Sequence, residues 1–379
     1  MTYSRREFGK LALAGLPGAV VLARSESIFG AFAQAKPNSV FNGVQIGAIT
    51  YSYRSMPDQS AEATLKYVVD SGINAIELMG GPVESFAGAP TSGRGGGPGG
   101  GGARGGGRRG ADPNAPPPQF NSSWNGQPCN TAPRGDEPAQ ARGGGAGGGG
   151  RGRGEVSPEQ QAAQREAAEK LKAWRTSVSM DKFKQLRKMY NDAGVSIYAW
   201  KQLSPAMSDE EYEYIFNVAE ALGCNQTTLE LVTDDAQLKR IGDFAIKKKV
   251  YAAYHTHTQG SMTAFDKAFA ISKGNMANVD LGHWVAAGNI GGTPMDFLNK
   301  YHDRTASFHL KDRTLPEHCA LNLPWGTGET PIKAILQLVQ KNKWKFPASV
   351  ELEYNVPEGS DAVQEVRKCV DYCRRALTT

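Results

Sequence analysis

Asn278-Val-Asp280-Leu-Gly-His283-Trp284 and Ser307-Phe308-His309-Leu310-Lys311-Asp312-Arg313 each join a short apolar run to an abrupt cluster of acidic and basic side chains. Similar clusters close other apolar runs: Glu77, Lys201, Glu230, His255-Thr-His257 and Glu351-Leu-Glu353. Imidazole and carboxylate together can hold a divalent cation, and both can move protons near neutral pH. Four of the six histidines stand in such clusters. A single strand histidine is more often a hydrogen-bonded structural residue than a ligand. The recurrence on consecutive runs reverses that balance, and His255, Asp280, His309 and Glu351 form a candidate metal quartet.

The elements that must position these residues follow from the pattern around them. Strand-like runs cover 44–50, 73–79, 195–200, 226–232, 250–256, 276–281, 305–310 and 348–352. Amphipathic, helix-like segments separate them at 61–71, 158–174 with 180–193, 209–222, 234–247, 262–273, 294–301, 331–341 and 361–377. Eight strand-plus-helix units of this kind predict an α/β fold, a (β/α)8 TIM barrel. A doubly wound open sheet would normally carry a Gly-rich phosphate loop after its first strand, and Ile46-Gly-Ala-Ile-Thr-Tyr51 supplies none. In a barrel the polar residues at strand C-termini converge on one face.

Period-two geometry puts His255 and His257 on one side of their strand, His309 and Lys311 on one side of theirs, and Glu351 with Glu353 on another common face. Alternation alone does not choose between the two glutamates. Glu77 is a substrate contact or half of an ion pair near the rim. Glu230, a carboxylate among apolar neighbours, leans towards function. Lys201 and Lys311 are substrate contacts or solvated lysines, and His283 joins them as a candidate substrate contact. Trp200, Trp284 and Trp325 are a sugar-stacking wall or ordinary aromatic packing. His302 and His318 read as surface residues of a helix and a loop.

Two segments separate from the folded body. Ser4-Arg5-Arg6-Glu7-Phe8-Gly9-Lys10, an apolar core over 11–22 and the small-residue end Ala31-Phe-Ala33-Gln-Ala35 make 1–35 a twin-arginine secretory address. No Cys follows the apolar run, and no later stretch is long and apolar enough to span a bilayer. The expectation is a periplasmic or secreted protein, exported already folded. The second segment, 87–155, is dominated by Gly, Pro, Ala and Arg and has too few apolar residues to offset its ordering entropy. It reads as a disordered insertion in the loop after the second strand. The catalytic domain is then 36–86 together with 156–379.

Charge divides the same way. The leader carries a net +2 and the insertion a net +4, so the overall +5 leaves the remaining body near −1. A nucleic-acid-binding face is therefore not expected on the folded part. The five cysteines are odd in number and match no zinc ribbon, and no disulfide framework is indicated.

Asp280-Leu-Gly-His283-Trp, Asp303-Arg304 with His309-Leu-Lys-Asp312, Trp325-Gly-Thr-Gly-Glu and Ser349-Val-Glu351-Leu-Glu353 resemble the xylose-isomerase-like sugar phosphate isomerase/epimerase family, whose superfamily also includes endonuclease IV. The resemblance covers nearly all of the chain from Val44 except the insertion, and is most specific over strands six to eight. It implies a TIM barrel holding one divalent ion, typically Mn, Mg, Co or Zn, on a Glu of strand five, an Asp of strand six, a His of strand seven and a Glu of strand eight. The last three look like Asp280, His309 and Glu351. His255 stands where the familiar epimerases carry the strand-five Glu, although a His-x-His variant occurs in the wider family.

In the ketose epimerases two opposed glutamates shuttle a proton on either face of an enediolate. Here Glu351 can serve as one base, and the second has to be His255, His257 or Glu230. The resemblance thus implies a metal-dependent sugar isomerase or epimerase working by α-proton abstraction, on a free or phosphorylated carbohydrate and compatible with a homo-oligomer. An unequal pair of bases also suits a lyase or hydratase, such as β-elimination on a 3-keto-glycoside. A nuclease like endonuclease IV needs more histidine ligands and a more basic body than this chain has. A non-catalytic sugar-binding barrel would have no use for the quartet.

Overall fold

The computed structural model describes residues 36–90, 123–124, 127–129 and 157–379. The leader at 1–35, and the Gly/Arg-rich tract apart from the few residues just named, lie outside the described residues. Everything below concerns the unit Asn38–Thr379.

Eight parallel strands form the centre: β1 (Val44–Ile49), β2 (Ala75–Met79), β3 (Ser196–Lys201), β4 (Gln226–Glu230), β5 (Tyr251–His255), β6 (Asn275–Asp280), β7 (Thr305–Leu310) and β8 (Ala348–Val350). Each pairs with the next, β8 pairs back onto β1, and the sheet closes as a (β/α)8 TIM barrel. Strands covered on both faces tend to read as apolar runs, as β1, β2 and β8 do, whereas β4 and β6 carry several buried polar residues. The Val40–Phe41 strand adds an antiparallel flap to β1.

The outer layer comprises α1 (Ala61–Asp70), α2 (Gly80–Phe86), α3 (Pro158–Ser177), α4 (Asp181–Asp192), α5 (Asp209–Leu222), α6 (Asp235–Lys248), α7 (Asp266–Ile271), α8 (Leu281–Ala286), α9 (Pro294–Tyr301), α10 (Ile332–Asn342) and α11 (Ala362–Thr378). Their boundaries have local causes. Ser157, Ser208 and Thr293 each close a capping box, satisfying amides that the first turn leaves open. α5 ends on Gly223 at φ 78, the left-handed cap that glycine adopts without a Cβ penalty. α10 buries Ile332, Ile335, Leu336 and Val339, an i, i+3, i+4, i+7 stripe. Each such side chain stabilises the fold by about 1.5–3 kcal/mol.

Two local expectations change, and one open alternative is decided. The helix foreseen over 262–273 is only Asp266–Ile271, because Phe265 gives it no side-chain cap and turns occupy the residues before it. Asp280 starts an unforeseen short helix, α8, by accepting from the His283 amide at 2.6 Å. Trp200 and Trp284 are wholly buried and belong to the aromatic core rather than to a sugar-stacking wall.

The cysteine reading is also corrected: Cys129 and Cys319 form a disulfide across 190 residues. Cys129 follows a small hairpin, Ser123–Trp124 with Gln127–Pro128, between α2 and α3. Cys319 lies in the turn at the tip of a second hairpin, in which Asp312–Arg313 pairs with Asn322–Leu323 just beyond β7. Cys224, Cys369 and Cys373 are buried free thiols. No described helix is long and apolar enough to cross a membrane.

Candidate metal and active site

Strand register assembles the site. Glu230 on β4 pairs with His255 on β5, and Asp280 on β6 pairs with His309 on β7. Beyond β8, the Glu351 amide continues the ladder by donating to Leu310 O at 3.0 Å. Four polar side chains from the ends of β5 to β8 therefore meet at the C-terminal mouth. His255, Asp280, His309 and Glu351 each present a ligand atom within 4.8 Å of the others, and all four are buried.

The chemistry of this quartet fits a divalent cation. His255 is 1% exposed, yet its Nδ1 has no hydrogen-bond partner. Burial and the Lys201 charge hold this imidazole well below its usual pKa, which keeps it in the neutral form that ligates metals. Burial pushes the Asp280 carboxyl up to about 6 against the opposing pull of Lys311. Burial alone would raise Glu351, but Lys311 and His309 hold it well below the usual carboxylate range. His309 Nδ1 lies 2.7 Å from Glu351 Oε2. With His255 and Asp280, these two residues would hold a divalent cation, which would supply Lewis-acid polarisation there.

The remaining candidates form two groups. On one side Lys311 is buried, with Nζ 2.5 Å from Glu353 Oε2, 3.0 Å from Asp280 Oδ2, 3.1 Å from Glu351 Oε2 and 3.0 Å from His283 Nε2. Arg313 contacts the other ring nitrogen of His283. Burial, Lys311 and Arg313 together keep His283 neutral, well below its usual pKa. On the other side, Lys201 Nζ lies 2.9 Å from Glu230 Oε1 and His257 Nε2 lies 3.1 Å from Glu230 Oε2. Burial disfavours charge on His257, but its hydrogen bond to Glu230 and the charge of that carboxylate raise its pKa overall. This second group is the more accessible one, with His257 33% and Glu230 30% exposed.

Glu77 stands apart from the mouth. It is fully buried, with Oε2 2.7 Å from His309 Nε2. His302 stacks on Trp344 and His318 pairs with Glu329, both outside the cluster.

Sequence reasoning gave no role to Arg313, Tyr51, Thr228 or Asn278. Thr228 and Asn278 lie in strands with several polar positions, and both side chains reach the Glu77 carboxylate. The loop motif Trp325-Gly-Thr-Gly-Glu329 also acquires a purpose. Its backbone amides at Gly326 and Gly328 donate to Asp312 at 2.7 and 2.9 Å. A Cβ at 328 would come 2.4 Å from Asp312 Oδ1, so the turn requires glycine there. The loop thus anchors the base of the hairpin that carries Lys311 and Arg313 into the site. A cavity lined by Thr50, Tyr51, Arg54, Gln59, Lys201 and Gln202 opens beside the cluster and shares Lys201 with it.

The fold is a (β/α)8 TIM barrel with a buried cluster of four candidate metal-ligating residues at its mouth. Among solved structures, it is similar to a sugar phosphate isomerase/epimerase from Parabacteroides distasonis, with a TM-score of 0.51, 14% identity, and coverage of 89% of this chain and 96% of that one. It is also similar to the probable 3-DHS dehydratase AsbF of Bacillus anthracis, with a TM-score of 0.50, 12% identity, and coverage of 86% and 98%. No protein-family model matches the sequence, and no curated protein matches it.

Proposed function

We propose that this protein is a divalent-metal-dependent sugar isomerase or epimerase that works by α-proton abstraction. The observation that carries the reading is the buried His255, Asp280, His309 and Glu351 quartet at the C-terminal ends of four consecutive barrel strands. An ion of the Mn, Mg, Co or Zn class, when bound there, polarises a carbonyl and its neighbouring hydroxyl and lowers the cost of removing the α-proton.

The protein's own groups do the rest. Glu351, kept ionised by its cationic neighbours, accepts the proton on one side of the substrate. Glu230 and His257 hold or return a proton on the other side, with Lys201 fixing the Glu230 carboxylate. His283 and Lys311 contact substrate oxygens, and the cavity beside Lys201 accepts the polyol chain. In this reading 36–86 and 156–379 are one catalytic domain interrupted by the 87–155 insertion. Twin-arginine export of the folded chain suits the Cys129–Cys319 bond, since disulfides persist in oxidising compartments.

A lyase reading has one observation in its favour. His257 Nε2 lies 3.1 Å from Glu230 Oε2, and that hydrogen bond and carboxylate charge raise its pKa, which favours an acid able to assist a departing oxygen, as in β-elimination from a 3-keto-glycoside. Both readings are tested by incubating the metal-loaded protein in D2O with ketoses, ketose phosphates and 3-keto-glycosides and following the products by NMR. Deuterium at the α-carbon with an inverted centre or a shifted carbonyl is the expected outcome. Loss of an aglycone selects the lyase, and absence of exchange with the whole panel rejects both.

A further inference from the structure

Glu77 is 0% exposed, and two side chains donate hydrogen bonds to its carboxylate. Thr228 Oγ1 donates to Oε1 at 2.6 Å. Asn278 Nδ2 donates to Oε2 at 3.1 Å. The Asn278 amide is itself oriented, because its Oδ1 accepts from Ser307 Oγ at 2.7 Å, and Ser307 in turn accepts from Gln226 Nε2 at 2.8 Å. A row of polar side chains thus rises through the barrel interior from Gln226 and delivers its last donor to Glu77.

An ionised carboxylate can only accept. His309 Nε2, 2.7 Å from Glu77 Oε2, must therefore carry the hydrogen of that contact. In a neutral imidazole the other nitrogen then has the free lone pair. That nitrogen, Nδ1, is the one turned to Glu351, a member of the quartet. The register shift between Ile76 and Glu77 in the β2–β3 pairing falls at this position. Bulges of this kind re-aim side chains next to active sites.

We propose that Glu77 is a positioning residue for the metal centre: it keeps the His309 hydrogen on Nε2 and so offers Nδ1 to a divalent cation. The proposal rests on the metal-site reading above and reassigns Glu77 from the substrate to the second layer around the metal.

The test compares Mn2+ affinity, read by EPR of the free ion, in wild type, Glu77→Gln and Thr228→Val. Glu77→Gln is expected to weaken Mn2+ binding about 10- to 100-fold, the usual effect of removing the partner of a ligating histidine. Thr228→Val removes a donor to the same carboxylate but leaves it facing His309. It should lower thermal stability while leaving Mn2+ affinity within about twofold of wild type, well short of the range for lost outer partners.

A second readout is the 15N–1H spectrum of the zinc-loaded wild type, which should place the His309 proton on Nε2 and the metal on Nδ1. That measurement decides the matter even where Glu77→Gln does not fold. Unchanged Mn2+ affinity in folded Glu77→Gln, or a proton on Nδ1, overturns the role given to Glu77. A wild type that binds no divalent ion overturns the metal reading itself.

Discussion

The Lys201 ammonium meets Glu230 Oε1 at 2.9 Å, which leaves Oε2 to His257 at 3.1 Å. This pairing holds Glu230 ionised: burial would raise its pKa, but the Lys201 charge and the hydrogen bond from His257 bring it well below the usual carboxylate range. Glu230→Gln is expected to lower kcat about 10²- to 10⁴-fold, the range for losing a positioned general base, with a smaller change in KM. Steady-state kinetics on the sugar that exchanges deuterium would show it. A kcat within threefold of wild type would remove Glu230 from the proton path.

Asp280 and His309 are adjacent across the β6–β7 ladder and both belong to the quartet. Asp280→Ala or His309→Ala should abolish stoichiometric metal, measured by elemental analysis after dialysis, while circular dichroism retains the helical signal. Metal kept at one equivalent in both variants would sink the ligand assignment.

Gly282 explains the glycine in Asp280-Leu-Gly-His283. A Cβ there would come 2.5 Å from the Lys311 carbonyl oxygen and 2.3 Å from its Cγ, so the backbone of the next strand end would have to move. Gly282→Ala should destabilise the protein by about 1–3 kcal/mol, as overpacking commonly does. The expected sign is a lower denaturant midpoint, together with weaker activity because Lys311 shifts. A midpoint equal to wild type would show that the contact relaxes freely.

Acid stability should depend on Glu365 in α11. Burial raises its pKa, but hydrogen bonds from Lys368, Ser360 and Tyr354 prevail and lower it below the ordinary glutamate value. Its contribution is therefore fully present above the unfolded-state pKa and is lost as pH falls through the depressed folded-state value. Between about pH 5 and 3, the urea midpoint of wild type should fall more steeply than that of Glu365→Gln. Parallel profiles would refute the coupling.

The eight strands were legible because buried parallel strands tend to leave apolar runs, and the quartet because each run stops abruptly in a polar residue. What lay hidden depended on contacts between distant elements. Nothing local reveals that Lys311 reaches Asp280, Glu351 and Glu353 at once, or that Glu77 is buried against His309 rather than at the rim. The end of β8 at Val350 shows the same limit, since Glu351 continues the ladder pattern but belongs to the loop. Cys129 lies in a tract with no apolar periodicity, so its pairing with Cys319 had no sequence signal.

That bond makes the barrel partly a closed ring. The 190-residue span between Cys129 and Cys319 contains β3 through β7, five of the eight strands. In the chain-entropy picture, tying so long a loop in the unfolded chain favours the native state by about 5 kcal/mol. On the proposed export of the folded chain, the barrel would form in a reducing cytoplasm without that contribution. It would then gain the cross-link only after crossing the membrane, so the same polypeptide would be more easily unfolded where it is made than where it works.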